Sequence, residues 1–459
     1  MLSSPDQLRT LLTNSEPQVQ QIGRGLLNRA RAGRPWFSGD RLMRPLMRHP
    51  QLRAAALRFV DVLPTLATAR DLTSHLEEYF RDVDLPLLSR SVRGAVLRAA
   101  QSPWLSAPTA WMVRTIAGRM ARRFIAGADL KTIDRALAAM HRRGMAFTLD
   151  LLGEAVVSEA EADEYQRQYA RTLAGLDPVV RQWAPNPQLD RIGPRAAPRL
   201  NLSIKISALY SQISPADPRT AAEAIKARLR PILLDAQRRG AFITLDMEHY
   251  DTKAITLRVF RELLTEQELR HWPDAGIAMQ AYLRDTPADL ASLIDWAEER
   301  GTPVMVRLVR GAYWDFEVVH AQQHGWPIPV WTSKQQTDSC YEYCLAMLLS
   351  AHPRIETAVA THNVRSLAVA IALSEWLGLA AGDYEAQMLY GMADELKRAL
   401  VDEGLRLRVY VPFGELIPGM AYLVRRLLEN TASQSFLRMG FAEDTDAQTL
   451  LAAPEVYRG

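Results

Sequence analysis

Eight short strand-like segments recur between residues 146 and 414, and this repeat constrains the fold more than any other feature of the sequence. Most of the intervals contain a helical stripe in which apolar residues step by three and four, as in residues 221–239 and 287–300. A strand–helix unit repeated eight times predicts an α/β fold, a closed (β/α)8 TIM-like barrel. An open doubly wound sheet is the alternative, but no segment carries a convincing GxGxxG turn after a strand. The segments are AFTLDLLGEA from Ala146, NLSIKIS from Asn201, AFITLDMEHY from Ala241, GIAMQAYL from Gly276, VMVRLVRGAYWD from Val304, TAVATHNV from Thr357, YEAQMLYGM from Tyr384 and RLRVYVPFG from Arg406.

The chain divides into three predicted parts. Residues 1–128 form an N-terminal all-helical region punctuated by prolines, residues 129–440 form the barrel, and residues 441–459 form a C-terminal tail. Within the barrel, residues 175–199 contain five prolines and no clear period, which predicts a loop before the second barrel strand.

The sequence predicts a cytoplasmic protein with a possible peripheral contact to a membrane. No apolar stretch approaches the roughly 20 residues that a membrane-spanning helix needs, and the N-terminus lacks the features of a signal peptide. Residues 23–53 are rich in arginine with interleaved leucines, a pattern typical of solvated amphipathic helices that is also compatible with contact to anionic lipid. Cys340 and Cys344 would share one face of a helix, so a disulfide or a zinc site there is not expected.

Polar residues accumulate where the predicted strands end. In a (β/α)8 barrel the carboxyl ends of all strands meet at one mouth, which is the active-site face. Seven of the eight strands contribute such residues, and we therefore expect a polar site at this mouth. They are Asp150, Glu154, Lys205, Asp246, Glu248, His249, Gln280, Arg307, Arg310, Thr361, His362, Asn363 and Tyr410.

Lys205 lies between Ile204 and Ile206 in a predicted strand, and a buried lysine needs an anionic partner or a chemical role. Two roles remain open at this point, a Schiff-base nucleophile and a partner for a substrate carboxylate. A second candidate for carboxylate binding is the adjacent pair Arg425 and Arg426, which lies within one helical turn of Glu429. The alternative for this pair is a solvated helix face with an ion pair from Arg425 to Glu429.

A metal site at Asp246, Glu248 and His249 is a further alternative, because carboxylate and imidazole groups are common metal ligands. The segment has no second histidine at a ligand-like spacing, and His362 would have to reach it from three strands away. We therefore expect no metal.

Seven segments resemble, in the same order, the proline dehydrogenase barrel of the bifunctional proline utilization A flavoenzymes. The resemblance covers about residues 130–437, and the preceding helices resemble more loosely the arm and helical domains of that family. The segments are LDLLGEA at Leu149, SIKIS at Ser203, LDMEHYD at Leu245, QAY at Gln280, VRLVRGAYWD at Val306, ATHN at Ala360 and YLVRRLLEN at Tyr422.

This resemblance implies an enzyme that oxidises L-proline to 1-pyrroline-5-carboxylate by hydride transfer to N5 of FAD, with electrons passed to a membrane quinone. It implies that Lys205, Arg425 and Arg426 pair with the proline carboxylate, and that Tyr313, Leu389 and Tyr410 wall the pyrrolidine ring. Arg307 would lie beside the flavin N5, Asp246 would orient the active-site lysine and arginines, and Glu154 would be the partner of Arg426. Flavin contacts would come from Met247, Gln280, Val309, Arg310, Gly311, Ala312, Trp314, Thr332, Lys334, Thr361, His362 and Asn363. For Arg307, a structural ion pair with Asp246 is an alternative that can coexist with the catalytic role.

The sequence also departs from the family pattern. It reads Glu248-His249-Tyr250 where the family often has an acidic pair followed by alanine, and the loop at residues 414–419 differs as well. Because the chain ends at Gly459, we expect no pyrroline-5-carboxylate dehydrogenase domain, and no ribbon-helix-helix signature predicts DNA binding. The alternative function is a metal- or lysine-dependent barrel hydrolase or lyase that acts on a carboxylate substrate.

Overall fold

A computed structural model describes residues 4–32, 50–81, 83, 94, 102–153, 155–414 and 446–457. The strands in this part of the chain are Met145–Leu151 (β1), Arg191–Ile192 (β2), Arg195–Ala196 (β3), Asn201–Ile204 (β4), Phe242–Leu245 (β5), Ala275–Gln280 (β6), Val304–Val309 (β7), Ile355–Ala360 (β8), Tyr384–Leu389 (β9) and Leu407–Phe413 (β10). The helices are Pro5–Ala32 (α1), Pro50–Val62 (α2), Ala69–Phe80 (α3), Pro103–Phe124 (α4), Leu130–Arg142 (α5), Glu159–Arg181 (α6), Pro218–Arg239 (α7), Tyr250–Thr265 (α8), Thr286–Arg300 (α9), Trp314–His324 (α10), Lys334–Ser350 (α11), Val364–Trp376 (α12), Asp394–Asp402 (α13) and Ala447–Leu450 (α14).

Eight parallel strands close into a barrel in the order β1-β10-β9-β8-β7-β6-β5-β4, which confirms the predicted (β/α)8 fold. Local sequence sets several of the helix boundaries. Asp129 and Thr132 form a capping box at the start of α5, and Ser333 and Gln336 form one at the start of α11. At the other end of α7, Gly240 adopts a left-handed conformation that turns the chain into β5.

The first helix packs on the outside of the barrel. Leu26 and Leu27 of α1 are fully buried in the main hydrophobic core. Glu16 of α1 forms an ion pair of 2.8 Å with Arg365 of α12, and Arg365 also donates to the carbonyl of Leu451 just after α14. The start of the arginine-rich stretch at residues 23–53 therefore turns its leucines inward, whereas residues 33–49 lie outside the described part of the chain.

A small hairpin covers the amino end of the barrel, opposite the mouth. Ile192 of β2 packs against Phe242 and Met305 from the barrel interior, and Arg195 of β3 pairs with Glu356 of β8 at 2.7 Å. The prediction of a loop for residues 175–199 is therefore wrong in part, because α6 runs to Arg181 and the hairpin follows it.

The lower interior of the barrel contains a buried cluster of charges on neighbouring strands. Glu385 of β9 accepts a hydrogen bond of 2.7 Å from Arg408 of β10 and one from Arg406, which directly precedes that strand. All three side chains are buried. Burial alone would raise the pKa of the Glu385 carboxyl, but the charges of Arg408 and Arg406 outweigh it and lower the pKa to about 2.

We expect this cluster to make stability depend on pH. Because the pKa of Glu385 falls from 4.5 to about 2 on folding, its contribution is complete above pH 4.5 and is lost as the pH drops toward 2. The shift corresponds to about 3 kcal/mol in the free energy of unfolding. Denaturant unfolding of Glu385→Gln should therefore show a weaker loss of stability with acid than the parent, whereas a Glu455→Gln control at an exposed position should keep the parental slope. Equal slopes in Glu385→Gln and the parent would contradict the assignment.

In the described part of the chain, none of the helices has the length and apolarity needed to cross a bilayer. Cys340 and Cys344 lie on the same buried face of α11 as free thiols, with their sulfur atoms 3.8 Å apart.

Candidate active site

Asp246 is the hub of a buried polar cluster at the carboxyl end of the barrel. The loop after β5 presents its carboxylate to three other strands. Arg307 of β7 donates to Oδ1 at 2.6 Å, and the hydroxyl of Tyr410 of β10 donates to Oδ2, also at 2.6 Å. Lys205, directly after β4, brings its Nζ to 3.2 Å from Oδ2. The predicted residues Lys205, Asp246, Arg307 and Tyr410 thus meet in one place.

Lys205 is held between two carboxylates. Its Nζ pairs with Asp150 of β1 as well as with Asp246, and lies 3.4 Å from the Tyr410 hydroxyl. Both carboxylates stabilise the charged ammonium form, whereas a Schiff-base nucleophile must be a neutral amine. Of the two roles left open by the sequence, this environment favours binding of an anionic substrate group.

Arg307 is fixed on three sides. In addition to the Asp246 contact, its Nε donates to Gln387 at 2.7 Å and its Nη2 donates to Ser203 at 3.0 Å. Its guanidinium also lies 5.2 Å from the ring centroid of Tyr410. The alternative structural role as an ion-pair partner of Asp246 is therefore confirmed, and it is compatible with a catalytic role because the guanidinium has more N–H groups than these contacts occupy.

The charges in the cluster fix the protonation of its members. Burial alone would raise the pKa of Asp246, but Lys205 and Arg307 hold it below its ordinary value, so the carboxyl is ionised. Burial, followed by the charges of Asp150 and Asp246, raises the pKa of Tyr410 well above its usual range. Tyr410 therefore remains a neutral hydroxyl that donates to Asp246.

Gln280, at the end of β6, provides a test of whether the mouth can hold a flavin. Its Nε2 donates to the carbonyl of Glu248 at 3.0 Å and lies 3.4 Å from that of Met247, which fixes the orientation of the amide. The Oε1 atom is buried and has no hydrogen-bond partner among the described residues. An unpaired buried acceptor suits a ligand with a ring N–H donor, such as the N3–H of a flavin.

A second group of predicted flavin contacts follows β7 and β8. Arg310 donates to Thr361 and Ser366 at 2.8 Å each and pairs with Asp338 at 2.7 Å. Thr361 in turn accepts from the backbone N–H of Asn363, which caps the N-terminus of α12. This group ties the two loops together beside a helix N-terminus, a suitable environment for an anionic ligand group.

The other predicted flavin contacts lie at the end of β7, between β7 and β8, or just after β8. His362 accepts at Nε2 from the backbone N–H of Leu389 at 3.1 Å. Trp314 is exposed, and its indole N–H donates to the carbonyl of Trp331. At Gly311, where φ is +129°, an added Cβ would come within 2.5 Å of the Tyr282 ring, so only glycine fits. Val309 is partly buried, and Ala312, Thr332 and Lys334 are exposed.

His249, which departs from the family pattern, packs on a predicted wall residue. Its ring centroid lies 4.3 Å from those of both Tyr313 and Phe316, and its Nδ1 is 3.6 Å from the buried carboxylate of Glu317. His249, which directly precedes α8, therefore packs against the first turn of α10 and supports the position of Tyr313.

Four of the predicted site residues lie outside the described residues: Glu154, Arg425, Arg426 and Glu429. Conversely, sequence reasoning did not assign roles to Asp150, Ser203, Glu385 and Gln387, which contact the cluster directly or through one another. For β9, the seventh barrel strand along the chain, the sequence had indicated no polar site residue. The signal was present as two polar residues at alternate positions, Glu385 and Gln387, in the apolar segment YEAQML.

Among the described residues, no three His, Cys, Asp or Glu side chains are grouped in a way that could hold a metal ion. Asp246 instead has three hydrogen-bonding or ionic partners from the protein.

Comparison with known proteins gives matches along nearly the whole chain. The family model for proline dehydrogenase matches residues 133–439, and the model for the proline utilization A N-terminal domain matches residues 16–124. The bifunctional protein PutA of Klebsiella aerogenes is 34% identical over 328 residues, which cover 69% of this chain and 24% of that protein. The proline dehydrogenase of Deinococcus radiodurans is 28% identical over 359 residues, which cover 77% of this chain and 99% of that protein.

Solved structures give the same result. The crystal structure of proline utilization A from Bdellovibrio bacteriovorus, inactivated by N-propargylglycine, matches with a TM-score of 0.88 and 39% sequence identity. The match covers 96% of this chain and 44% of that one, so the chain spans less than half the length of this relative. Fold, ordered motifs and family models agree, and the chain belongs to the proline dehydrogenase family.

Proposed function

We propose that this protein oxidises L-proline to 1-pyrroline-5-carboxylate with FAD as its cofactor and a membrane quinone as the electron acceptor. The observation that carries the proposal is the cluster of Lys205, Asp246, Arg307 and Tyr410 at the barrel mouth, in a chain of the proline dehydrogenase family. A bound flavin would supply the acceptor for the hydride that leaves the ring carbon next to the proline nitrogen.

Lys205 would bind the substrate carboxylate, together with Arg425 and Arg426 from outside the described residues. Its ammonium is paired with Asp150 and Asp246, which fix the Nζ, and its contact with the Tyr410 hydroxyl is long at 3.4 Å, so a substrate carboxylate would replace that hydroxyl as the acceptor of the third N–H. Tyr313, Leu389 and Tyr410 would provide an apolar wall for the ring, since each lies partly buried at the mouth. A carboxylate held at one end and a ring at the other would give the substrate a single orientation.

The cofactor would be held by residues of the β5, β6, β7 and β8 loops. Gln280 supplies the unpaired buried acceptor, and Met247 lies beside it. Arg310, Lys334 and the capped N-terminus at Asn363 would favour the anionic part of FAD. Arg307 would stabilise the negative charge that the ring system gains on reduction.

We expect Lys205→Met to raise the KM for proline about 10- to 100-fold, because a charge-assisted hydrogen bond to a buried carboxylate is worth roughly 1.5–3 kcal/mol. The inhibition constant of tetrahydrofuroic acid, which shares the carboxylate and the ring, should rise by a similar factor. Steady-state kinetics with both compounds provide the measurement. Lys226→Met, which removes an ion-paired lysine from the outer helix α7, is the control. A KM for proline that is unchanged in Lys205→Met would refute the assigned role.

We also propose a reversible peripheral contact with the membrane, which delivery of electrons to a quinone requires. The basic side chains of residues 23–53 would provide it, since Leu26 and Leu27 are buried in the protein. Co-sedimentation with liposomes of anionic lipid should be stronger for the proline-reduced than for the oxidised protein, and should weaken as salt is added. Failure of the reduced protein to bind such liposomes at low salt would exclude this contact.

A further inference from the structure

A continuous line of hydrogen bonds leads from the barrel mouth into the barrel interior. At the mouth, Arg307 Nε donates to Gln387 Oε1 at 2.7 Å. Gln387 Nε2 then donates to Glu385 Oε1 at 2.6 Å, and Glu385 accepts from Arg408 at 2.7 Å. All four residues are buried, and none has more than 3% of its surface exposed to solvent. The line therefore operates in an environment where hydrogen bonds are strong and water cannot replace them.

The two neighbours of Gln387 determine the orientation of its amide. Arg307 can only donate, so it requires the amide oxygen, whereas ionised Glu385 can only accept, so it requires the amide NH2. A flipped amide would place NH2 against a guanidinium and oxygen against a carboxylate. Arg406 and Arg408 keep Glu385 ionised from below. The ionised state of Glu385 in the barrel interior thus fixes the Gln387 amide with its oxygen toward Arg307 at the mouth.

The contact with Gln387 completes the immobilisation of Arg307. Asp246 and Ser203 hold the two terminal nitrogens of the guanidinium, and Gln387 holds the Nε at the base of the fork. Contacts at all three nitrogens prevent rotation of the guanidinium plane, which lies against the Tyr410 ring. A catalytic cation loses less free energy to reorganisation when its orientation is fixed before the reaction.

We propose that Gln387 is a positioning residue for proline oxidation: it fixes the plane of the Arg307 guanidinium through Nε, and Glu385 sets the orientation of its amide. The inference rests on the proposed function, because it acts through the role assigned to Arg307.

The test is a double-mutant cycle between Gln387 and Arg307. Gln387→Met keeps the length of the side chain and removes both amide hydrogen bonds. We expect the rate constant of flavin reduction by proline to fall about ten-fold, while the dissociation constant of tetrahydrofuroic acid changes less than two-fold. In an Arg307→Met background, the same substitution should produce no further loss in rate, because a residue that acts only through Arg307 has nothing left to position. Equal losses of rate in both backgrounds would show a general structural role and overturn the proposal.

Two further variants keep the result interpretable. Gln387→Asn is one methylene shorter and cannot maintain both hydrogen bonds, so it should behave as Gln387→Met does and replaces it if that variant fails to fold. Thr244→Val removes a buried hydroxyl of β5 that has no partner among the described residues, and it should leave the rate unchanged. If proline fails to reduce the flavin of the parent protein, the proposed function fails. If proline reduces the parent and the losses are additive, only the positioning role fails.

Discussion

Replacing Arg307 with methionine is expected to slow reduction of the flavin by proline about 100-fold or more while leaving the amount of bound flavin near that of the parent. Methionine keeps most of the side-chain volume in the barrel and removes the guanidinium charge, which three hydrogen bonds hold at the barrel mouth. The magnitude follows from the loss of one fixed donor to a developing negative charge. Stopped-flow reduction under anaerobic conditions, with flavin content matched between proteins, measures this effect.

The matched control for this prediction is Arg228→Met, which removes an arginine paired with Asp163 and Glu159 on the outer helices. It should cost little stability and leave the reduction rate unchanged. A parental rate of reduction in Arg307→Met would mean that Arg307 has only its structural ion pair with Asp246, a contact that the site does contain.

Asp246→Asn is expected to lower both stability and catalysis. The substitution is nearly isosteric, but it leaves the charge of Arg307 without its carboxylate and leaves Lys205 with Asp150 as its remaining acidic partner among the described residues. Removal of one member of a buried ionic network typically costs 3–5 kcal/mol, so we expect a loss of about that size in the free energy of unfolding. We expect kcat/KM for proline to fall about 100-fold or more, because Lys205 and Arg307 both lose the carboxylate that holds them in place.

Asp190→Asn separates these two effects. Asp190 pairs with Arg199 at 2.7 Å near the hairpin that covers the opposite end of the barrel. This variant should lose stability but keep kcat/KM. An Asp246→Asn protein with a kcat/KM within three-fold of the parent would show that proline oxidation does not depend on the Asp246 carboxylate.

The strands of the barrel could be predicted from the sequence because each is a compact apolar segment and most of the intervals between them contain a helical stripe. Residues 175–199 were harder, because prolines obscured the pattern. Leu173, Leu176 and Val180 are buried at helical spacing and carry α6 past Pro178. The burial of that face against the barrel outweighs the local cost of the proline.

The ion pairs in the barrel interior could not be predicted from the sequence, for a different reason. Glu385 and Arg408 are visible as charged residues in apolar strands, but their pairing depends on the register of β9 against β10. Likewise, Asp150 is visible at the end of β1, whereas its pairing with Lys205 depends on closure of the barrel between β1 and β4. Resemblance to a family identified the residues at the mouth, and the three-dimensional register was needed to find those that support them.

The central claim is most directly tested by adding L-proline to the FAD-loaded protein without oxygen and recording the visible spectrum. The account predicts that the absorption band of oxidised flavin bleaches, that the product is 1-pyrroline-5-carboxylate, and that a quinone restores the band. A protein that takes up no flavin, or a flavin band that proline leaves unchanged, would contradict it.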